Sequence, residues 1–120
     1  MVDLKIRTKN FALQIIQLYC KLPNTNLAQI LGKQVLRSGT SVGANYREAT
    51  RARSTREFCS KTNISLQELD ETGYWLELIF ESGTFNLPEM DAAIKETSEL
   101  TAIFVTMIKN AKAKRNRASA

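Results

Sequence analysis

At 120 residues the chain has room for one hydrophobic core but not for two independent ones. Its 43% hydrophobic and 24% charged residues suit a folded globular protein, and its lack of histidine removes the commonest general base, every Ser/His triad and the usual His/Cys zinc sites. The net charge of +5 is sharply partitioned, with 11 Lys/Arg against 3 Asp/Glu in residues 1–64, 1 against 9 in residues 65–108, and 5 against none in residues 109–120, so one surface suits polyanions and another suits basic neighbours or further copies of the chain.

Prolines occur only at 23 and 88, and turn-forming residues gather in a few short clusters between apolar-periodic segments, which predicts an all-α protein. Helix one is expected from an N-cap at Asp3 to about Lys21, with Leu4, Phe11, Ile15, Leu18 and Leu22 on one face, before PNTN breaks it. Helix two runs from about Thr25 to about Ala52, with an apolar stripe of Leu27, Leu31, Val35, Val42, Tyr46 and Ala49. Ser54 followed by Glu57 is a capping box that starts helix three, expected over 55–82 with Phe58, Leu69, Leu76 and Phe80 as core. The Gly83-Thr-Phe-Asn run ends it. Pro88, with Asn86 and Glu89 nearby, opens helix four over about 88–113, whose inward face is Met90, Ile94, Thr97, Thr101, Phe104 and Ile108; the basic tail 109–120 is expected to fray. Four such helices with short connections form one antiparallel up-down-up-down four-helix bundle domain over residues 1–120.

No segment approaches the roughly 18 apolar residues of a membrane span, and the N-terminus lacks a secretory apolar stretch, which points to a cytoplasmic protein with no membrane partner. Cys20 and Cys59 are the only cysteines, read as two buried packing residues in a reducing compartment.

Placed at about 100° per residue, Lys33, Arg37, Arg47 and Arg51 fall within an arc of about 80° opposite the apolar stripe of helix two, with Arg53 and Arg56 following in the turn. The guanidinium group donates two parallel hydrogen bonds to phosphate oxygens, so this face suits a polyanion. A plain solvated face is the alternative, but such faces mix signs, and Glu48 is the single acid between Asp3 and Glu57. No aromatic residue interleaves with the arginines, so contacts would fall on RNA or DNA backbone rather than on bases.

Gly32, Gly39 and Gly43 lie along one edge of the same helix at i, i+7 and i+11. Each costs about 0.8–1 kcal/mol relative to alanine, which suggests close approach of another backbone, a local kink near Ser38–Ser41 being the alternative. Helix three carries a second apolar stripe of Ile64, Trp75 and Leu78 among Glu68 and Glu71, expected to face another copy of the chain, although scattered exposed apolar residues are common. Ile6, Leu13 and Ile16 form a minor stripe on helix one.

A catalytic or metal centre is not indicated. Glu68 and Glu71 share a face but Asp70 does not, a di-iron bundle needs histidines, and Ser38, Thr40 and Ser41 have no base partner. There is also no Gly-rich phosphate loop.

LRSGTSVGANYREA (Leu36 to Ala49), the capping segment Ser54 to Lys61 and ELDETGYWLEL (Glu68 to Leu78) together resemble the small bacterial four helix bundle protein family, also called the 23S rRNA intervening-sequence proteins. The resemblance covers nearly the whole chain. It implies a bundle that assembles as a barrel-like homopentamer, and kinship with the accessory variability proteins of diversity-generating retroelements, which bind nucleic acid and a reverse transcriptase. The family's basic positions in this motif fall here on Arg37, Arg47, Arg51, Arg53 and Arg56.

These features together predict a non-enzymatic, cofactor-free, homo-oligomeric nucleic-acid-binding module whose affinity is electrostatic and sequence-tolerant. The competing expectation is a protein-interaction scaffold for an acidic partner such as a reverse transcriptase.

Overall fold

In a computed structural model of the chain, residues 3–85 and 88–119 are described. They form four helices: α1 (Leu4–Lys21), α2 (Asn26–Ala49), α3 (Thr55–Glu81) and α4 (Pro88–Ser119). Each packs on its sequence neighbours, and α4 closes the ring against α1, giving an up-down-up-down bundle 55 Å long and little more than 20 Å across. The α1–α4 seam is the sparsest of the four.

Side-chain caps set the starts of α1, α2 and α3. The Asp3 carboxylate accepts the Lys5 amide at 2.9 Å, and the Thr25 hydroxyl accepts the Ala28 amide at 3.2 Å, each satisfying a donor with no intrahelical partner. Ser54 accepts the Glu57 amide at 3.1 Å, but Glu57 reaches back to the amide of Arg53 at 3.4 Å rather than to that of Ser54, so the capping box is displaced by one residue. At the end of α3, Gly83 takes φ of +74°, its amide donates to Phe80 O at 3.1 Å and the Thr84 amide donates to Ile79 O at 3.2 Å. This is the Schellman arrangement, and its left-handed residue is one that glycine adopts without a Cβ clash.

Two ends depart from expectation. Helix α2 stops at Ala49 rather than Ala52, because Arg51 and Ala52 donate to Glu48 O and Ala49 O in tight turns and the chain must then extend at Ser54 (φ −152°, ψ 162°) to cap α3. Helix α4 continues to Ser119 instead of fraying near 113. Its tail is rich in alanine, lysine and arginine, all good helix formers, and cations at a helix C-terminus oppose the negative end of its dipole. Asn86, expected near the start of α4, lies outside the described residues.

Phe11, Ile15, Leu18, Val35, Val42, Leu69, Leu76, Met90, Leu100 and Phe104 are buried at the centre of the core. The expected stripes need several corrections. Leu27 is exposed, Ala28 taking the inward position of that turn, and Leu31, Tyr46, Phe58, Phe80, Ile94 and Thr101 are only half-buried. On α3 the small hydroxyl residues Thr62, Ser65 and Thr72 take the inward positions instead. They allow α2 and α3 to approach closely. Ser65 donates to Val42 O at 2.9 Å, and Thr72 donates to Glu68 O at 2.7 Å while its oxygen accepts from the Ser38 hydroxyl at 2.8 Å. Cys59 is buried, whereas Cys20 sits on the outward face of α1 and is exposed; both are free thiols.

Candidate nucleic-acid interface

Antiparallel topology decides where the charges gather. The start of α1, the end of α2, the start of α3 and the end of α4 share one end of the bundle, shown by Thr8 against Gly43 and by Ala111 and Lys114 beside the 52–58 segment. Arg47 in the last turn of α2, Arg51 and Arg53 in the connection and Arg56 in the first turn of α3 are all exposed there. Ala49 and Ala52 occupy the inward positions of this corner, which leaves only outward positions for the long side chains.

None of these four arginines has a carboxylate within ion-pair distance among the described residues. The nearby acids are engaged elsewhere: Glu48 pairs with Lys61 at 3.7 Å, and Glu57 accepts the Arg53 amide. Lys5 and Lys9 of α1 add to the same end, Lys9 lining with Arg47 a shallow groove of about 310 Å³ floored by Thr8 and Gly43.

The remaining members of the expected strip behave differently. Lys33 is exposed on α2 but lies 14 residues, about 21 Å along the axis, from Arg47. Arg37 is exposed as well, but it is not free. It sits on the α3 side of the arc and forms ion pairs with Glu68 and Glu71, each at 3.0 Å. Glu68 is buried, so Arg37 neutralises a carboxylate its own fold has removed from water. The hydrogen bond between Glu71 and Glu68, joined by burial, pushes the Glu71 carboxyl above its ordinary value despite the nearby Arg37.

The acidic segment is likewise consumed in part within the chain. Arg7 grips Glu96 with two bonds, Nε to Oε2 at 2.9 Å and Nη2 to Oε1 at 2.7 Å, and this bidentate contact raises the Arg7 pKa. Lys21 bonds Glu89 at 2.6 Å at the other end of the same α1–α4 seam.

The expected interface residues of α3 are also redistributed. Ile64 is exposed, but Trp75 and Leu78 are half-buried, with Trp75 packed on the chain's own core, and Glu68 and Glu71 hold Arg37. Gly32, Gly39 and Gly43 all face α1. A methyl group there would come within 2.6 Å of Leu22 Cδ1, 2.8 Å of Ile15 Cγ1 and 3.0 Å of Thr8 Oγ1 respectively. Sequence reasoning did not place Lys5 and Lys9 in the basic surface. The up-down topology was the signal for them, since it returns the start of α1 to the end of α2.

Among the described residues no three His, Cys, Asp or Glu side chains converge as a metal site, and no helix is long and apolar enough to cross a membrane. The fold and its cationic corner define a small helical bundle with an open basic end. The chain belongs to the 23S rRNA-intervening sequence protein family, whose sequence profile it matches over residues 3–106. It is similar to a crystal structure from Bacteroides thetaiotaomicron described as a protein with unknown function from the S23 ribosomal protein family. The two are 37% identical with a TM-score of 0.82, over 89% of this chain and 99% of that one. No curated protein matches the sequence.

Proposed function

We propose that this chain is a non-enzymatic module that binds nucleic-acid backbone at the cationic end of its bundle. The observation that carries this reading is the unneutralised state of Arg47, Arg51, Arg53 and Arg56, in a fold that gives Arg7, Lys21 and Arg37 carboxylate partners. A guanidinium left exposed retains its forked donors for phosphate oxygens. The half-buried Tyr46 and Phe58 offer no exposed ring for base stacking, so the reading is a sequence-tolerant contact with RNA or DNA. Its two free cysteines accord with a reducing, cytoplasmic setting.

Four phosphate contacts on a duplex imply a log–log salt slope of about 3.6, hence a loss of affinity of about two orders of magnitude between 50 and 200 mM salt. Anisotropy titrations on single-stranded and duplex RNA and DNA at both salt concentrations test this. Absence of binding at the lower salt would sink the proposal. An acidic protein such as a reverse transcriptase is the rival ligand for the same surface. Reversing Arg47, Arg51 and Arg53 to Glu separates the two: loss of nucleic acid with retained partner capture supports the first, and the opposite result the scaffold.

A second reading, self-association, is favoured by two outward apolar faces. Ile6 and Leu13 on α1 are 58% and 46% exposed, opposite the core-facing Phe11, Ile15 and Leu18, and Ile30 on α2 is 62% exposed. Different faces joined head to tail close into a ring, such as the pentamer the family resemblance implies, and a ring repeats the cationic end with a gain in avidity.

A further inference from the structure

We infer that the last turns of α4 form the second wall of the nucleic-acid seat, the phosphate backbone lying in the notch between Lys114 and Arg53. The inference rests on the nucleic-acid reading above. The family profile ends at residue 106, yet α4 continues as a helix to Ser119. That continuation adds Lys109, Lys112, Lys114, Arg115 and Arg117 and no acidic residue. It is held against the bundle, since Ile108 is buried and Ala111 half-buried. Between it and the α2–α3 connection lies an open notch of about 310 Å³, lined by Ala52, Arg53, Phe58, Ala111 and Lys114.

The two cations of this notch come from segments 61 residues apart in sequence, and neither has a carboxylate partner among the described residues. Lys109 and Lys112, and Lys114 and Arg117, stand three apart on α4, where like charges repel. Ordinary solvated helices relieve such repulsion with an acid one turn away, and Glu99 is the last acid of this chain. The helix dipole favours cations near a C-terminus but does not require them to flank an arginine-bearing turn. A line of phosphates passing through the notch would neutralise both walls together.

The test compares Lys114→Gln, Arg53→Gln and Lys95→Gln in the full chain, by anisotropy on RNA and DNA, single-stranded and duplex, across a salt series, with circular dichroism to follow the fold. Lys95 is also an exposed α4 cation without a carboxylate partner among the described residues, but it lies outside this end. One lost duplex phosphate contact lowers the slope by about 0.9, so K114Q and R53Q should each weaken binding about five-fold at about 0.15 M salt while K95Q leaves it unchanged. If K114Q binds like K95Q while R53Q is weakened, the inference falls and the proposed function stands. If all three bind like the parent protein, or the parent does not bind at all, the proposed function fails and takes the inference with it.

Discussion

Arg37 shows how a single side chain can belong to the fold while its neighbours in sequence do not. Its sequence position marks it as one more arginine of a basic strip, but its place on the arc lies nearest α3, where Glu68 and Glu71 stand one turn apart. Arg37→Ala leaves the buried Glu68 carboxylate without its cation. Because Arg37 is itself half in solvent, the cost is put below that of a fully buried pair, at about 1–2 kcal/mol in urea denaturation at neutral pH. Glu71 responds in the opposite sense. Its folded pKa lies above its unfolded value, so the folded state holds this proton more tightly, and the associated stability is complete below the unfolded pKa and is lost as pH rises through the folded one. Glu71→Gln mimics the protonated form. It should leave stability at neutral pH unchanged or raised by about 0.3 kcal/mol, the exposed position being well screened, and should flatten the stability–pH curve just above the ordinary carboxylate range. A loss in E71Q as large as that in R37A would mean that Glu71 acts as a simple salt-bridge partner.

Glycines separate two kinds of helix contact. On the α1-facing edge of α2, a Cβ at Gly39 would meet Ile15 at 2.8, 3.0 and 3.2 Å, against a β-branched, fully buried side chain with no room to retreat. A Cβ at Gly73 on α3 would meet Thr97 Cγ2 at 3.7 Å, an ordinary contact. Gly39→Ala should therefore destabilise by about 1–2 kcal/mol even after the gain in helix propensity, whereas Gly73→Ala should stabilise by about 0.5–1 kcal/mol. Thermal or urea unfolding of the pair checks both signs. Equal effects would mean that α1 and α2 can separate at no cost. The same contrast explains how far residue pattern alone reached. The regular spacing 32, 39, 43 singled out an edge, and the caps at Asp3 and Ser54 placed helix starts, because each depends on residues close in sequence. The three-residue error at the end of α2, the polar lining of α3 and the diversion of Arg37 depend on the facing helix, which local periodicity does not contain. Four of the six positions expected to bind nucleic acid stand together at the open end; Lys33 and Arg37 are separated from it by the length and twist of α2.

The charge partition acquires its meaning only when the four helices are folded back on one another. Basic termini and a basic central turn, distant in sequence, are brought to one end, while the acidic segment from Glu68 to Glu99 secures Arg37 and Lys21 away from that end and Arg7 near it. An object polarised in this way does not bury its outward apolar residues, and this bears on how assembly is tested. Trp75→Glu is a poor probe, because Trp75 packs on the chain's own core, so a change in mass would mix unfolding with dissociation. Leu13 and Ile30 make a cleaner pair, as each projects into solvent within the single chain and a charge there costs the isolated bundle little. If α1 and α2 supply the two faces of a closed ring, Leu13→Glu and Ile30→Glu should each lower the mass measured by light scattering to that of one chain, with helical circular dichroism retained. In a head-to-tail contact the two mutants fail on opposite faces, so mixing them still joins the intact face of one to the intact face of the other and yields a dimer that cannot propagate. A parent protein that is already monomeric, or mutants that keep its full mass, would remove these faces from the account of assembly and leave the cationic end to act on its own.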